Sequence, residues 1–149
     1  MCFFWFIEDY SSIPEKDFAT IQETVQRAGY RPPTESRQWR RIGKDEKIEE
    51  ILAYHLRHDL AYSYPFISLE TSRSLAAALL DHVRYNDDST YVYHQIRWYS
   101  NLFPRRSGNN KEYGGGNMGW NPISDWTFDA AFVGIGSTQT LMVCFFAED

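Results

Sequence analysis

Trp126-Thr127-Phe128-Asp129-Ala130-Ala131-Phe132-Val133-Gly134-Ile135 and, after Gly136-Ser137-Thr138-Gln139, Thr140-Leu141-Met142-Val143-Cys144-Phe145-Phe146-Ala147 decide the fold class. Neither run contains Lys or Arg, and each has the length of a strand. The segment between them begins near a glycine, which tolerates a positive backbone dihedral, and suits a hairpin turn. A strand pair this apolar must be covered on at least one face, so the stretch up to Glu148 and Asp149 is expected to be part of the fold, not a tail. Trp126, Phe128, Ala130 and Phe132 share one phase and Thr127, Asp129, Ala131 and Val133 the other; the first set is the expected core face.

Upstream, residues 101–124 lack periodicity and contain Arg105-Arg106, Asn109-Asn110 and Gly114-Gly115-Gly116, which predicts a long Gly/Asn-rich loop of the kind that is often mobile or functional. Tyr91 to Tyr99 alternates as a strand. Val92, His94, Ile96 and Trp98 form the expected core face, and Tyr91, Tyr93, Gln95, Arg97 and Tyr99 an outer face open to solvent or a partner. Asn86-Asp87-Asp88-Ser89 before it reads as a turn. Three helices precede that turn. The first spans Pro14 to Ala28, capped by Ser11 or Ser12, with Phe18, Ile21, Val25 and Ala28 on one face and Gly29 as the stop. The second runs from about Asp45 to Arg57, with Ile48, Ile51, Leu52, His55 and Leu56 in a stripe. The third, capped by Thr71 or Ser72, carries Leu75, Ala76, Leu79, Leu80 and Val83. Arg31-Pro32-Pro33-Thr34 is a connector, and Tyr62, Tyr64 and Pro65 interrupt the chain after the second helix. Cys2-Phe3-Phe4-Trp5-Phe6-Ile7 reads as a buried strand. The order β-α-α-α-β-loop-β-β predicts one α+β domain over residues 1–149, a mainly antiparallel sheet with about three helices packed to one side.

The 149 residues suffice for one sizeable core without disulfides or metal. Five Trp, ten Tyr and ten Phe exceed what a minimal core needs and favour a recognition surface. The net charge of -5 is uneven: Arg27 to Arg57 holds eight basic and five acidic residues, which leaves seven basic and fifteen acidic elsewhere. That acidic remainder repels nucleic acid and attracts a basic protein surface. The opening segment reaches Glu8 and Asp9 too early for a secretory signal, and no run is long enough to span a bilayer. Cys2 and Cys144 both lie in strand-like runs, so a cytosolic protein with two buried thiols is expected.

No catalytic motif is complete. His55 and His58 share a helix face, but His55 lies on the apolar stripe and the His-Glu-x-x-His pattern is missing, so no metal is assigned. His82 and His94 could exchange protons if they met near Glu70 or Asp81. The thiols have no activating neighbour. The triple glycine is neither a Walker loop nor a dinucleotide fingerprint, so no cofactor is assigned. Arg37, Arg40, Arg41, Arg105 and Arg106 would serve nucleic acid only if gathered together against Glu46, Glu49 and Glu50.

The expected function is noncatalytic recognition of a basic protein partner, in the manner of an inhibitor or immunity protein. Its expected binding residues are Glu8, Asp9, Asp87, Asp88, Tyr91, Tyr93, Tyr99, Asp125 and Trp126. The alternative is a small enzyme in which His82 or His94 moves protons and Arg105 or Arg106 holds an anionic substrate beneath the 101–124 loop. A third reading is homo-oligomerisation through the terminal apolar strands.

Overall fold

The computed structural model describes residues 13–43, 46–62, 64–85, 96–107, 110–112, 119–137 and 139–148, side chains excepted at 83–85, 105–107 and 110–112. The apolar hairpin is its centre. Strands β7 (Phe128–Ile135) and β8 (Thr140–Ala147) pair antiparallel from Phe128 opposite Ala147 to Ile135 opposite Thr140, and Gly136 N donates to Gln139 O across the turn at 2.8 Å. On the other side of β7 lies β2 (Arg97–Ser100), and beyond it β1 (Arg40–Arg41), giving a four-stranded antiparallel sheet in the order β1-β2-β7-β8. The expected strand at Cys2 to Ile7 lies outside the described residues.

The α+β class stands, but the helices divide between the two faces of the sheet. Helix α1 (Glu15–Arg27) buries Ile21 and Val25 in a cluster with Tyr99, Ala131, Val133 and Ile135. Helices α2 (Ile48–Arg57) and α3 (Leu69–Tyr85) bury Ile51, Leu52, Ala76 and Leu80 against Trp98, Ala130 and Phe132 on the opposite face. Both phases of β7 are therefore interior, which corrects the expectation of all helices on one side. The physical reason is in the residues: beyond Asp129, Ala131, Val133 and Ile135 are as apolar as their alternates, and a stretch of strand that is apolar in both phases needs cover on both faces. Tyr99 is corrected with them, because its phase faces α1 and is fully buried.

Local signals set the helix ends. Pro14 occupies the N-cap position of α1, where no side-chain cap operates, and Glu15 and Asp17 place carboxylates at the positive end of the dipole. At the other end Gly29 adopts φ 89°, and the bonds Tyr30 N to Val25 O (3.1 Å) and Gly29 N to Gln26 O (3.0 Å) close a Schellman turn. Helix α3 is capped by Ser68, whose Oγ accepts from Thr71 N at 3.0 Å, three or four residues ahead of the expected Thr71 or Ser72. Gly134 is required by a close approach: the Trp98 indole lies across it, 2.7 Å from where a Cβ would stand.

Within 101–124 the described residues include two short ribbons. β3 (Leu102–Phe103) pairs with β6 (Gly119–Trp120), and β4 (Arg105–Ser107) with β5 (Asn110–Glu112). No helix of the described residues is long and apolar enough to cross a membrane.

Candidate functional site: an aromatic and acidic corner beside the hairpin

The segment that leads into β7 is anchored by one buried carboxylate. Asp129, 1% exposed on β7, accepts at Oδ2 from Ile123 N (3.1 Å), Ser124 N (3.1 Å) and Ser124 Oγ (2.8 Å), and at Oδ1 from Asn101 Nδ2 (2.8 Å). Asn101 in turn accepts from Ala131 N at 2.7 Å and donates to Asn121 O at 3.0 Å. A buried carboxyl that accepts four hydrogen bonds is a strong anchor, since removing it would orphan several donors. Arg31 adds to the anchor, its N–H donating to Ile123 O at 2.8 Å and its guanidinium to Ser124 O.

This anchoring fixes Asp125 and Trp126. Trp126 N donates to Ser124 Oγ at 3.3 Å, and the indole, 48% exposed, lies 5.9 Å from the Phe146 ring. Phe146 also contacts Tyr30, with ring centroids 5.1 Å apart. The Asp125 carboxylate is fully exposed, 3.4 Å from Arg31, and exposed Glu148 accepts from Thr127 Oγ1 at 2.8 Å. Tyr30, Phe146 and Trp126 thus form a connected aromatic surface with two accessible carboxylates nearby. Trp126 was expected in the core phase of Phe128 and Phe132. It lies instead on the Phe146 side, because residues 121–127 follow the Asp129 anchor and not the strand.

Of the expected binding residues, Asp125 and Trp126 meet here. Tyr99 does not: it lies beneath α1, and its hydroxyl donates to Asp17, which also receives Arg97 Nε at 2.6 Å and Nη2 at 2.9 Å. Burial, and then the Asp17 carboxylate, push the Tyr99 phenol up to about 12. Glu8, Asp9, Asp87, Asp88, Tyr91 and Tyr93 lie outside the described residues. Tyr30 and Phe146 were not singled out from the sequence. Each looks like an ordinary core aromatic until the hairpin and the end of α1 converge.

A second aromatic surface was also missed. Tyr62, Tyr64 and Phe66 are 66%, 70% and 66% exposed on the connection between α2 and α3. Their backbone is braced by Asp59 N to Tyr64 O (2.8 Å), Phe66 N to Arg57 O (2.7 Å) and Tyr62 N to Asp59 Oδ2 (2.9 Å). The signal was present in Tyr62-Ser63-Tyr64-Pro65-Phe66, but aromatic residues beside a proline do not announce which way they face.

Three of the four histidines are among the described residues. His55 is buried between Phe132 and Phe145, with ring centroids at 5.2 and 5.6 Å, and its Nδ1 lies 2.8 Å from Ile51 O. Burial is the main cause that brings its pKa down to about 4, so the ring is neutral. His58 stacks on Tyr54 at 4.2 Å, His82 is exposed on α3, and His94 lies outside the described residues. The Cys144 thiol is pushed up to about 12 by burial and then by Asp129, a poor nucleophile as expected. Arg40 is committed to Glu46 in a paired fork at 2.9 Å for each bond and to Leu102 O at 2.7 Å, and Arg37 pairs with Glu35. Among the described residues no three His, Cys, Asp or Glu side chains gather to hold a metal ion. Comparisons with protein-family models, curated proteins and solved structures give no match for this chain.

Proposed function

We propose that the protein is a noncatalytic recognition module whose Tyr30–Phe146–Trp126 surface, with Asp125 and Glu148, docks on a basic protein surface and occludes it, as an inhibitor or immunity protein would. The observation that carries this reading is the half-exposed indole of Trp126, whose backbone N–H donates to Ser124, itself held by the buried Asp129. A large aromatic ring whose backbone is already fixed loses little entropy on binding, which is the usual character of an interface hot spot. The exposed Asp125–Arg31 pair contributes little to folding and can exchange Arg31 for a partner's guanidinium. Arginine suits both halves of the surface, since its plane stacks on indole and its fork pairs with carboxylate.

The test is calorimetric titration of the full chain with an arginine-rich peptide and with a control peptide in which glutamine replaces arginine. The arginine peptide binds, and Trp126→Ala weakens it by roughly 30-fold, the size of a hot-spot loss. Equal binding of the two peptides, or binding that Trp126→Ala leaves intact, defeats the reading.

A further inference from the structure

The Trp126 corner already holds a guanidinium, and it belongs to the chain itself. Arg31 follows the turn that ends α1, and its Nη2 donates to Ser124 O and stands 3.4 Å from Asp125 Oδ1. A backbone carbonyl and a carboxylate on successive residues thus converge on one amino group, the acceptor pair that a partner's arginine would seek. Tyr30 precedes Arg31 and Trp126 follows Asp125, so the seated guanidinium lies between the two ends of the aromatic surface in both strands of chain that build it.

The seat is loosely filled. The Arg31 and Asp125 side chains are 61% and 100% exposed, and both contacts fall on Nη2. An exposed pair of this kind is held weakly, whereas an arginine that brings its whole fork and stacks on the indole makes more contacts. The acceptors also stay in place without the Arg31 side chain. The Arg31 backbone N–H still donates to Ile123 O at 2.8 Å, and Asp129 Oδ2 still accepts from Ile123 N, Ser124 N and Ser124 Oγ.

We propose that Arg31 is an internal competitor for the Trp126 corner, a guanidinium in cis that occupies the Ser124 carbonyl and the Asp125 carboxylate until a partner's arginine displaces it. This rests on the docking function proposed above, and it sets affinity below the value that the corner's own groups would give.

Calorimetric titration of the full chain with the arginine-rich peptide tests it, at about 0.15 M salt, where exposed charges more than ~8 Å apart are largely screened. Arg31→Gln binds the peptide roughly three-fold more tightly than wild type, the size of one released exposed pair. Arg31→Lys, which keeps the charge but gives up the fork, gains in the same direction and decides the matter if the glutamine variant fails to fold. Loss of a positive charge by itself favours a basic peptide, so Arg27→Gln is the control. Arg27 is exposed and pairs with Glu23 at 2.7 Å, and its removal leaves the affinity unchanged. In an Asp125→Asn background the gain from Arg31→Gln disappears, because the carboxylate for which the two guanidinium groups compete is gone. Unchanged or weaker binding by the Arg31 variants, an equal gain from Arg27→Gln, or a gain that survives Asp125→Asn overturns the competitor. Wild-type binding that still depends on Trp126 would then leave the docking function standing, whereas no binding by wild type or the Arg31 variants defeats both.

Discussion

Asp17 shows how one side chain joins two layers. It lies in the first turn of α1, 4% exposed, and receives the Arg97 guanidinium and the Tyr99 hydroxyl from β2. The Arg97 hydrogen bond is the largest influence on its carboxyl and, with Tyr99, outweighs burial to hold the pKa below the ordinary 3.8. A carboxyl depressed in the folded state contributes stability that is complete above its unfolded pKa and is lost as pH falls through its folded value. Asp17→Asn therefore lowers stability at neutral pH by about 1–3 kcal/mol, with Arg97 a third exposed and its share reduced by solvent. The gap between variant and wild type narrows below pH 3.8, which urea titrations at neutral and acid pH detect. Gly134→Ala would put a methyl group into the Trp98 ring and costs roughly 1–3 kcal/mol, read from the same titrations and from a change in near-ultraviolet dichroism.

Helix α3 makes the corresponding point for an element. Its apolar positions suggest a stripe through Leu75, Ala76, Leu79 and Leu80, yet the buried line is Ser72, Ala76 and Leu80, and Leu75 is turned outward. Small residues at Ser72 and Ala76 let α3 approach α2 closely, and the Ser72 hydroxyl donates to Leu69 O at 2.8 Å, so its polarity costs nothing there. A periodicity count that treats serine as polar rotates the helix by about one residue. The cap is the accessible test. Ser68→Ala removes the acceptor for Thr71 N and destabilises the protein by about 1 kcal/mol, measurable as a shift in the urea midpoint at unchanged slope.

Across the whole molecule, charge sets the salt response of binding. If the Trp126 corner docks a basic surface as proposed, Asp125 and Glu148 steer the association, so raising ionic strength slows the on-rate for a basic peptide, whereas Trp126→Ala speeds dissociation. Stopped-flow or surface-binding kinetics separate the two effects. Asp129→Asn, which keeps the shape but weakens the anchor for Ser124, loses peptide affinity as well as stability, because Trp126 is then no longer held ready.

The sequence alone determined the elements whose signals are local. The hairpin free of Lys and Arg, the acidic first turn of α1, the Gly29 stop and the α+β class all follow from residue type, because backbone preferences and apolar alternation act over a few residues. It also carried Asp125 and Trp126 as an acidic-aromatic pair. Tertiary structure decided what depends on distant partners. It placed α1 across the sheet from α2 and α3, which makes Tyr99 interior. It brought Tyr30 and Phe146 to Trp126, and exposed Tyr62, Tyr64 and Phe66. A tyrosine on a strand has the same chemistry in a core or on a surface, and only the element laid over it settles which.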